Sequence, residues 1–247
     1  MIRGLYTSAT AMKMELLSQE VITNNLANID TPAYKRDFPI RSTFSSLLIS
    51  RIEQGFSPVN FVGPLGVGGD LERVYTDFSP GPLKFTENKL DLAIEKEGFF
   101  VVQTPGGERY TRDGSFRVNS QEELVTKDGF LVEGKQGPVS VKGDFHFTRD
   151  GGVVVDGQLI NQLRIVIPEN SEAFQKIGNN LFGLKEGFRV LEASDFSILE
   201  GYLESSNVNV IREMAEMISG FRLYEAAQRS IHFQDETLQR LMGELRV

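Results

Sequence analysis

The sequence predicts an α+β protein with N- and C-terminal helices that form a coiled coil, and a central all-β domain of short antiparallel strands. Apolar residues recur every three or four positions near the N-terminus, and more regularly near the C-terminus. Between these regions Gly, Pro, Asn and Asp interrupt short runs of Val, Ile, Phe and Leu. The first period is typical of helices, and short apolar runs between turn residues are typical of strands.

The first helix is predicted within residues 1–30. The stretch NNLANIDTPAYKRD at 24–37 ends the pattern, because Asn side chains favour turns and a proline disfavours helical backbone in the residue before it. Four residues represent the apolar stripe of this helix: Leu5, Met12, Leu16 and Leu26.

For residues 31–70 the sequence predicts an extended arm and a linker rich in Gly and Pro, with one short helix near 41–53. Residues 71–203 predict the all-β domain. Its tight turns are indicated by Gly-Gly, Asp-Gly and Gly-Asn pairs, and the Asp113-Gly114 pair is interpreted as a hairpin turn.

The second helix is predicted within residues 204–247, with Asn207 or Asn209 as its N-terminal cap. Its apolar spacing alternates between four and three over about five heptads, as in coiled coils. A single α+β globule whose two helices pack on the sheet fits the same pattern. The stripe includes Val210, Met214, Met217, Phe221, Tyr224, Ile231 and Leu238.

Composition argues against several classes of function. The chain has 247 residues, a net charge of -8 and no cysteine, so it has neither disulfides nor thiolate nucleophiles. The sequence lacks a concentrated basic face, which argues against nucleic acid as a partner. It also lacks an apolar run long enough to predict direct membrane insertion. The acidic pairs Glu95/Glu97 and Glu122/Glu123 lie in polar, Gly-rich segments, where solvated carboxylates are expected. We predict no enzyme activity, no cofactor and no metal.

Three stretches together resemble the bacterial flagellar axial proteins of the rod and hook group. NNLANIDTPAYKRD resembles their N-terminal box, with Ala33 where the family usually has glycine. LDLAIEKEGFFVV, YTRDGSFRVN and ELVTKDGFLV resemble their β-domain signature, and GYLESSNVNVIREMAEMISGFRLYEAAQRSI resembles their C-terminal box. The first box matches at Asn24, Asn25, Leu26, Ala27, Asn28, Thr31, Tyr34 and Lys35.

The resemblance implies a structural subunit of the flagellar basal-body rod, the hollow drive shaft of flagellum-dependent motility. The implied partners are copies of the chain, other rod proteins, hook-side axial proteins and the flagellar type III export apparatus. The implied location is the periplasmic rod of the basal body, reached without a cleaved signal peptide. The last helix looks nearer to the proximal-rod type than to the distal-rod type.

The resemblance also places the subunit interface on the terminal helices and on the arm at 34–36, which would touch the next subunit. Two alternatives remain open: a distal-rod subunit, and a secreted hook-like or adhesin-type binding protein. The predicted interface residues are Leu5, Met12, Leu16, Asn24, Asn25, Leu26, Asn28, Thr31, Tyr34, Lys35, Asn207, Val210, Met214, Met217, Phe221, Tyr224, Ile231 and Leu238.

Overall fold

The computed structural model describes residues 2–43, 47–51, 60–66 and 68–244. The chain divides into two compact units. The first comprises Met1–Ala27, Asp37–Asp77 and Asn209–Val247, and the second comprises Asn28–Arg36 and Phe78–Val208. The chain therefore leaves the first unit twice, once for a short arm and once for the β domain.

The described part of the first unit contains both long helices and four strands, and the helices pack against each other. Strand β1 pairs with β4 and strand β2 pairs with β3, both antiparallel. Among the described residues, no helix is both long and apolar enough to span a bilayer. The elements are α1 (Ile2–Ala27), β1 (Asp37–Thr43), β2 (Leu47–Arg51), β3 (Asn60–Leu65), β4 (Gly69–Thr76) and α2 (Val210–Glu244).

Two expectations for this unit have clear outcomes. The prediction of a short helix near 41–53 was wrong, because β1 and β2 occupy the described part of that range. Residues 44–46 and 52–53 of the range lie outside the described residues. The cap of α2 is Asn209, whose Oδ1 accepts a hydrogen bond from Arg212 N at 3.1 Å. This side chain satisfies one of the free amides of the first helical turn.

The second unit is built from short strands, as the turn residues predicted. Its one further helical element is a 3-10 turn at Ser171–Ala173. The strands are β5 (Leu83–Phe85), β6 (Leu92–Ile94), β7 (Phe99–Thr104), β8 (Gly107–Thr111), β9 (Arg117–Val118), β10 (Leu124–Val125), β11 (Leu131–Gly134), β12 (Gly137–Pro138), β13 (Phe145–Phe147), β14 (Gly152–Val155), β15 (Gln158–Gln162), β16 (Ile165–Pro168), β17 (Phe174–Gly178), β18 (Leu181–Leu184), β19 (Val190–Glu192), β20 (Ile198–Glu200) and β21 (Tyr202–Glu204).

Strand β7 lies inside the largest sheet, whose main path runs β17-β18-β8-β7-β11-β10-β9 with antiparallel pairing. Successive side chains of a strand point to opposite faces. Phe100 and Val102 enter the larger apolar core, whereas Phe99 and Val101 enter a smaller one with Phe174. The continuous apolar run FFVV is therefore buried on both faces of the sheet.

Two turns of this unit contain residues with left-handed backbone. Asp156 and Gly157, with φ of 51° and 80°, join β14 to β15. Asn179 and Asn180, with φ of 51° and 55°, join β17 to β18 one position beyond the predicted Gly-Asn pair. Positive φ at both central residues matches the twist of hairpin strands.

The prediction of a hairpin turn at Asp113-Gly114 was wrong, because the strands on either side of this pair, β8 and β9, pair with other strands. The Gly114 carbonyl accepts a hydrogen bond from Leu92 N at 3.0 Å, and the next residue, Ser115, forms an antiparallel bridge with Asp91. A Cβ at Gly114 would lie 1.7 Å from the Leu92 carbonyl oxygen. The glycine is required here by the close approach of two backbones, because no side chain fits between them.

Candidate functional site

A buried ionic cluster in the second unit joins residues of the three family-like stretches. Lys35 Nζ lies 2.6 Å from Glu204 Oε1, and Arg112 Nε lies 2.6 Å from Glu204 Oε2. All three side chains are at most 3% exposed. Buried charges persist in proteins when they are paired and hydrogen-bonded, and this carboxylate bridges two cations.

Backbone groups complete the cluster, which we call the ionic junction (Lys35, Arg112 and Glu204). The Lys35 ammonium also donates to Ser79 O at 2.8 Å, and Gly81 N donates to Glu204 Oε1 at 2.8 Å. The carbonyls of residues 94, 96 and 98 accept from the Arg112 guanidinium. These carbonyl dipoles stabilise the second positive charge, which the single carboxylate does not neutralise.

The pKa of Glu204 reflects two opposed effects. Burial raises the pKa of this carboxyl. The charges of Arg112 and Lys35, with the hydrogen bonds from Arg112 and Gly81, together lower the pKa by more than burial raises it. The pKa of Glu204 therefore lies below its ordinary value of 4.5. The carboxylate is ionised when the junction forms, as both cations require.

The arm that follows α1 turns at Ala33. Its φ is 56°, and its amide donates to Glu204 O at 2.7 Å. The alanine at the family's glycine position therefore adopts the left-handed backbone itself. Tyr34 and Lys35 follow it into buried positions, and the Lys176 ammonium lies 4.0 Å from the centre of the Tyr34 ring.

Asn207 holds the arm to the segment that precedes α2. Its Oδ1 accepts from Arg36 N at 2.6 Å, and its Nδ2 donates to Ser79 O at 3.1 Å. Asn28 and Thr31 line a polar pocket of about 340 Å³ together with Asp113 and Thr126, among other residues. Asn207 therefore binds the arm near the C-terminal end of the second unit.

Helices α1 and α2 of the first unit run antiparallel. Ser8 Oγ lies 3.3 Å from Ser230 Oγ near one end of the pair, and Asn25 Nδ2 lies 3.1 Å from Glu213 Oε2 near the other. The less exposed face of α1, which we call the α1 seam, has heptad spacing but few large apolar side chains. The α1 seam comprises Gly4, Ser8, Ala11, Glu15, Ser18, Ile22 and Asn25.

The apolar stripe predicted for α1 lies beside this seam. Leu5 and Leu16 are 38% and 49% exposed, and Met214 and Phe221 of α2 are 48% and 54% exposed. Asn24 is also exposed, whereas Asn25, Tyr34 and Lys35 are buried. The remaining predicted interface residues are half-buried: Met12, Leu26, Asn28, Thr31, Asn207, Val210, Met217, Tyr224, Ile231 and Leu238.

The sequence analysis missed the acidic residues that organise both regions. Glu204 lies in the C-terminal family-like stretch, but the polar residues that follow it, Ser205, Ser206 and Asn207, do not indicate burial. Glu15 and Glu213 are buried where the two helices meet, but a search for apolar residues does not select them. Their heptad spacing from other buried residues of the same helix was the signal that could have identified them.

Profiles of three protein families match the chain. They are described as flagella basal body rod protein, over residues 5–35; flagellar hook protein FlgE/F/G D1 domain, over 93–180; and flagellar basal body rod FlgEFG protein C-terminal, over 199–244. The three matches contain Lys35, Arg112 and Glu204, respectively. The ionic junction therefore takes one residue from each match.

Relatives match over nearly the full length. The chain is 33% identical to the flagellar basal-body rod protein FlgG of Buchnera aphidicola subsp. Acyrthosiphon pisum, over 98% of this chain and 99% of the relative. It is 33% identical to the FlgG protein of Caulobacter vibrioides, over 96% and 97%. It is 31% identical to the flagellar basal-body rod protein FlgF of the same bacterium, over 93% and 92%.

Proposed function

The chain belongs to the flagellar basal-body rod protein family, and on that premise we propose that its two terminal helices build the rod by binding neighbouring copies. As a member it is a structural subunit of the flagellar basal body. The observation that carries the proposal is the apolar surface that the helix pair leaves in water. Besides Leu16 and Phe221, the exposed residues include Ile218 and Phe233, at 56% and 68%.

The exposed apolar side chains of this surface favour burial against other subunits. Removing apolar surface from water contributes about 25 cal/mol per Å². The α1 seam is rich in small and polar residues, so α1 contributes few large apolar side chains to pairing within one chain. Isolated helices are marginal in water until packing stabilises them. We expect the helices to pair within the subunit, to supercoil into a coiled coil and to gain further stability in the assembled rod.

The interface residues fall into two groups in this proposal. The exposed or half-buried stripe residues of the helices, such as Leu16 and Phe221, contact neighbouring copies. The buried residues Asn25, Tyr34 and Lys35 contact their own chain and give the subunit its shape. We propose that these three side chains shape the subunit, and their direct contact with a neighbouring subunit remains a prediction.

We propose the remaining partners from the family as well: other rod proteins, hook-side axial proteins and the type III export apparatus, with the subunit in the periplasmic part of the basal body. Absence of a cleaved signal peptide and of enzyme activity remain predictions. The proximal position in the rod also stays a prediction, since the relatives include both FlgG and FlgF proteins.

The test is complementation of a strain that lacks this gene, followed by swimming assays and electron microscopy of isolated basal bodies. The double variant L16S/F221S should leave the β unit folded and abolish rod assembly. A rod that stops near the inner membrane indicates a proximal subunit, and one that stops short of the hook indicates a distal subunit.

The matched control is Leu159→Ser, which removes an apolar side chain that is 67% exposed on β15 of the second unit. This variant should restore swimming. Intact hooks and normal swimming in the deletion strain itself would overturn the proposed function. Normal rods from L16S/F221S would be consistent with the family role but would show that the apolar stripe of the helices is not the subunit interface.

A further inference from the structure

Asn25 lies at the end of the α1 seam and is completely buried. Its Nδ2 donates both to Glu213 Oε2 of α2, at 3.1 Å, and to Asp37 O, at 2.6 Å. Its Oδ1 accepts from Asp37 N at 2.9 Å. One amide therefore joins both helices to the first residue of β1, where the chain re-enters the first unit.

Glu15 forms a second polar layer in the same seam. Arg41 NH1 lies 3.1 Å from Glu15 Oε1, and Arg41 NH2 donates to Ser18 Oγ at 3.3 Å. The opposite helix makes room for this carboxylate at Gly220, where a Cβ would lie 3.0 Å from Glu15 Oε2. Glu213 and Gly220 are one heptad apart on α2, so sliding α2 by one heptad places one of these two residues where the other was.

Sliding α2 by one heptad is unfavourable in either direction. In one direction Glu213 takes the place of Gly220 and brings a second buried carboxylate beside Glu15. In the other direction Gly220 takes the place of Glu213, so Asn25 loses its carboxylate partner, and Ala227 brings a Cβ to the tight position beside Glu15. A buried polar group can fix the register of a helix pair because each slipped register leaves polar groups unsatisfied.

We propose that Asn25 and Glu213 are the register-determining pair of the terminal helices. The pair selects one antiparallel alignment from several that the small side chains of the seam would otherwise permit. The proposal rests on the proposed function, since the register fixes which apolar residues lie level with one another on the assembling surface. Asn25 acts as a positioning residue, because its side chain is buried and contacts its own chain.

The absence of cysteine makes the register measurable by disulfide trapping in the purified full-length subunit. The S8C/S230C pair reports the observed alignment, because the two hydroxyl oxygens lie 3.3 Å apart. The S8C/T237C and S8C/L223C pairs report slips of one heptad in the two directions. In the otherwise unchanged chain, we expect S8C/S230C to oxidise and the two slipped pairs to remain reduced.

Adding Asn25→Ala should shift the ratio of the observed to the slipped disulfides by about tenfold, the effect expected for one buried hydrogen bond to a charged group. Glu213→Gln retains an oxygen that can accept from Asn25, so it should keep the observed register. Asn25→Asp places two carboxylates together and should slip. Combining it with Glu213→Gln should restore the S8C/S230C disulfide, because the new amide can donate in the opposite direction.

The matched control is Thr23→Ala, an exposed position on the same helix, which should leave all three yields unchanged. Failure of S8C/S230C to oxidise in the parent, or an unchanged ratio in Asn25→Ala, would overturn the proposal. Neither result depends on rod assembly. If Asn25→Ala keeps the observed register and L16S/F221S builds no rods, the proposed role of the register pair is rejected and the proposed function is supported.

Discussion

Lys35 Nζ and Glu204 Oε1 lie 2.6 Å apart, although 169 positions separate the two residues in the chain. Lys35 belongs to the N-terminal family-like stretch and Glu204 to the C-terminal one. Arg112, from the β-domain stretch, binds the other oxygen of the same carboxylate. The three stretches that identify the family in sequence therefore converge on one carboxylate of the second unit.

We expect Glu204→Gln to destabilise the second unit by about 3–5 kcal/mol, because it leaves two buried cations without a counter-charge. The measurement is urea unfolding followed by circular dichroism. Glu192→Gln is the matched control, since Glu192 is exposed on β19. Equal unfolding midpoints for the two variants would show that the junction does not contribute to stability.

The stability that Glu204 contributes should depend on pH with a defined sign. Its pKa in the folded state is below the ordinary value of 4.5 expected for the unfolded chain. The contribution is therefore complete above about pH 4.5 and is lost as the pH falls through the lower, folded-state pKa. The difference in unfolding free energy between the parent and Glu204→Gln should shrink on acidification, and urea titrations at several pH values measure it. A difference that grows below pH 4.5 would contradict this assignment.

Periodicity predicted the helices because both kept a heptad pattern, and the turn pairs predicted a domain of short strands. It did not identify which face of α1 pairs with α2. The apolar face, with Leu5 and Leu16, remains partly exposed, whereas the face with Ser8, Ser18 and Asn25 is turned inward. A sequence pattern reports where apolar side chains lie, and it cannot distinguish a face buried in one chain from a face available to a neighbour.

The ionic junction was not predicted for a different reason. Its residues come from segments that are far apart in sequence, and Lys, Arg and Glu ordinarily lie at the surface. The family resemblance selected Lys35 by its position in a motif but gave no reason for its burial. Only the fold shows that Lys35, Arg112 and Glu204 compensate one another.

We expect Gly114→Ala to prevent stable folding of the second unit. The new Cβ would lie 1.7 Å from the Leu92 carbonyl oxygen, a backbone atom that the neighbouring strand holds in place. We expect a loss of more than about 3 kcal/mol, as for other severe overpacking changes. Thermal unfolding monitored by circular dichroism is the measurement.

Gly129→Ala is the control for that substitution. Gly129 has a φ of 86°, and nothing lies within 4 Å of an added Cβ. Its substitution therefore introduces backbone strain alone, worth about 1 kcal/mol. Equal losses for the two variants would show that close backbone approach is not the reason for glycine at position 114.

Ala33 provides the last prediction, because it holds left-handed backbone where the family usually has glycine. At a φ of 56°, glycine is free of the steric cost of a Cβ but loses more backbone entropy on folding. We therefore expect Ala33→Gly to stay within about 1 kcal/mol of the parent. Ala33→Val should cost at least about 2 kcal/mol, because a β-branched side chain is poorly accommodated at positive φ and the site is buried. Urea unfolding of both variants measures this order, and a valine variant as stable as the glycine variant would contradict the left-handed turn.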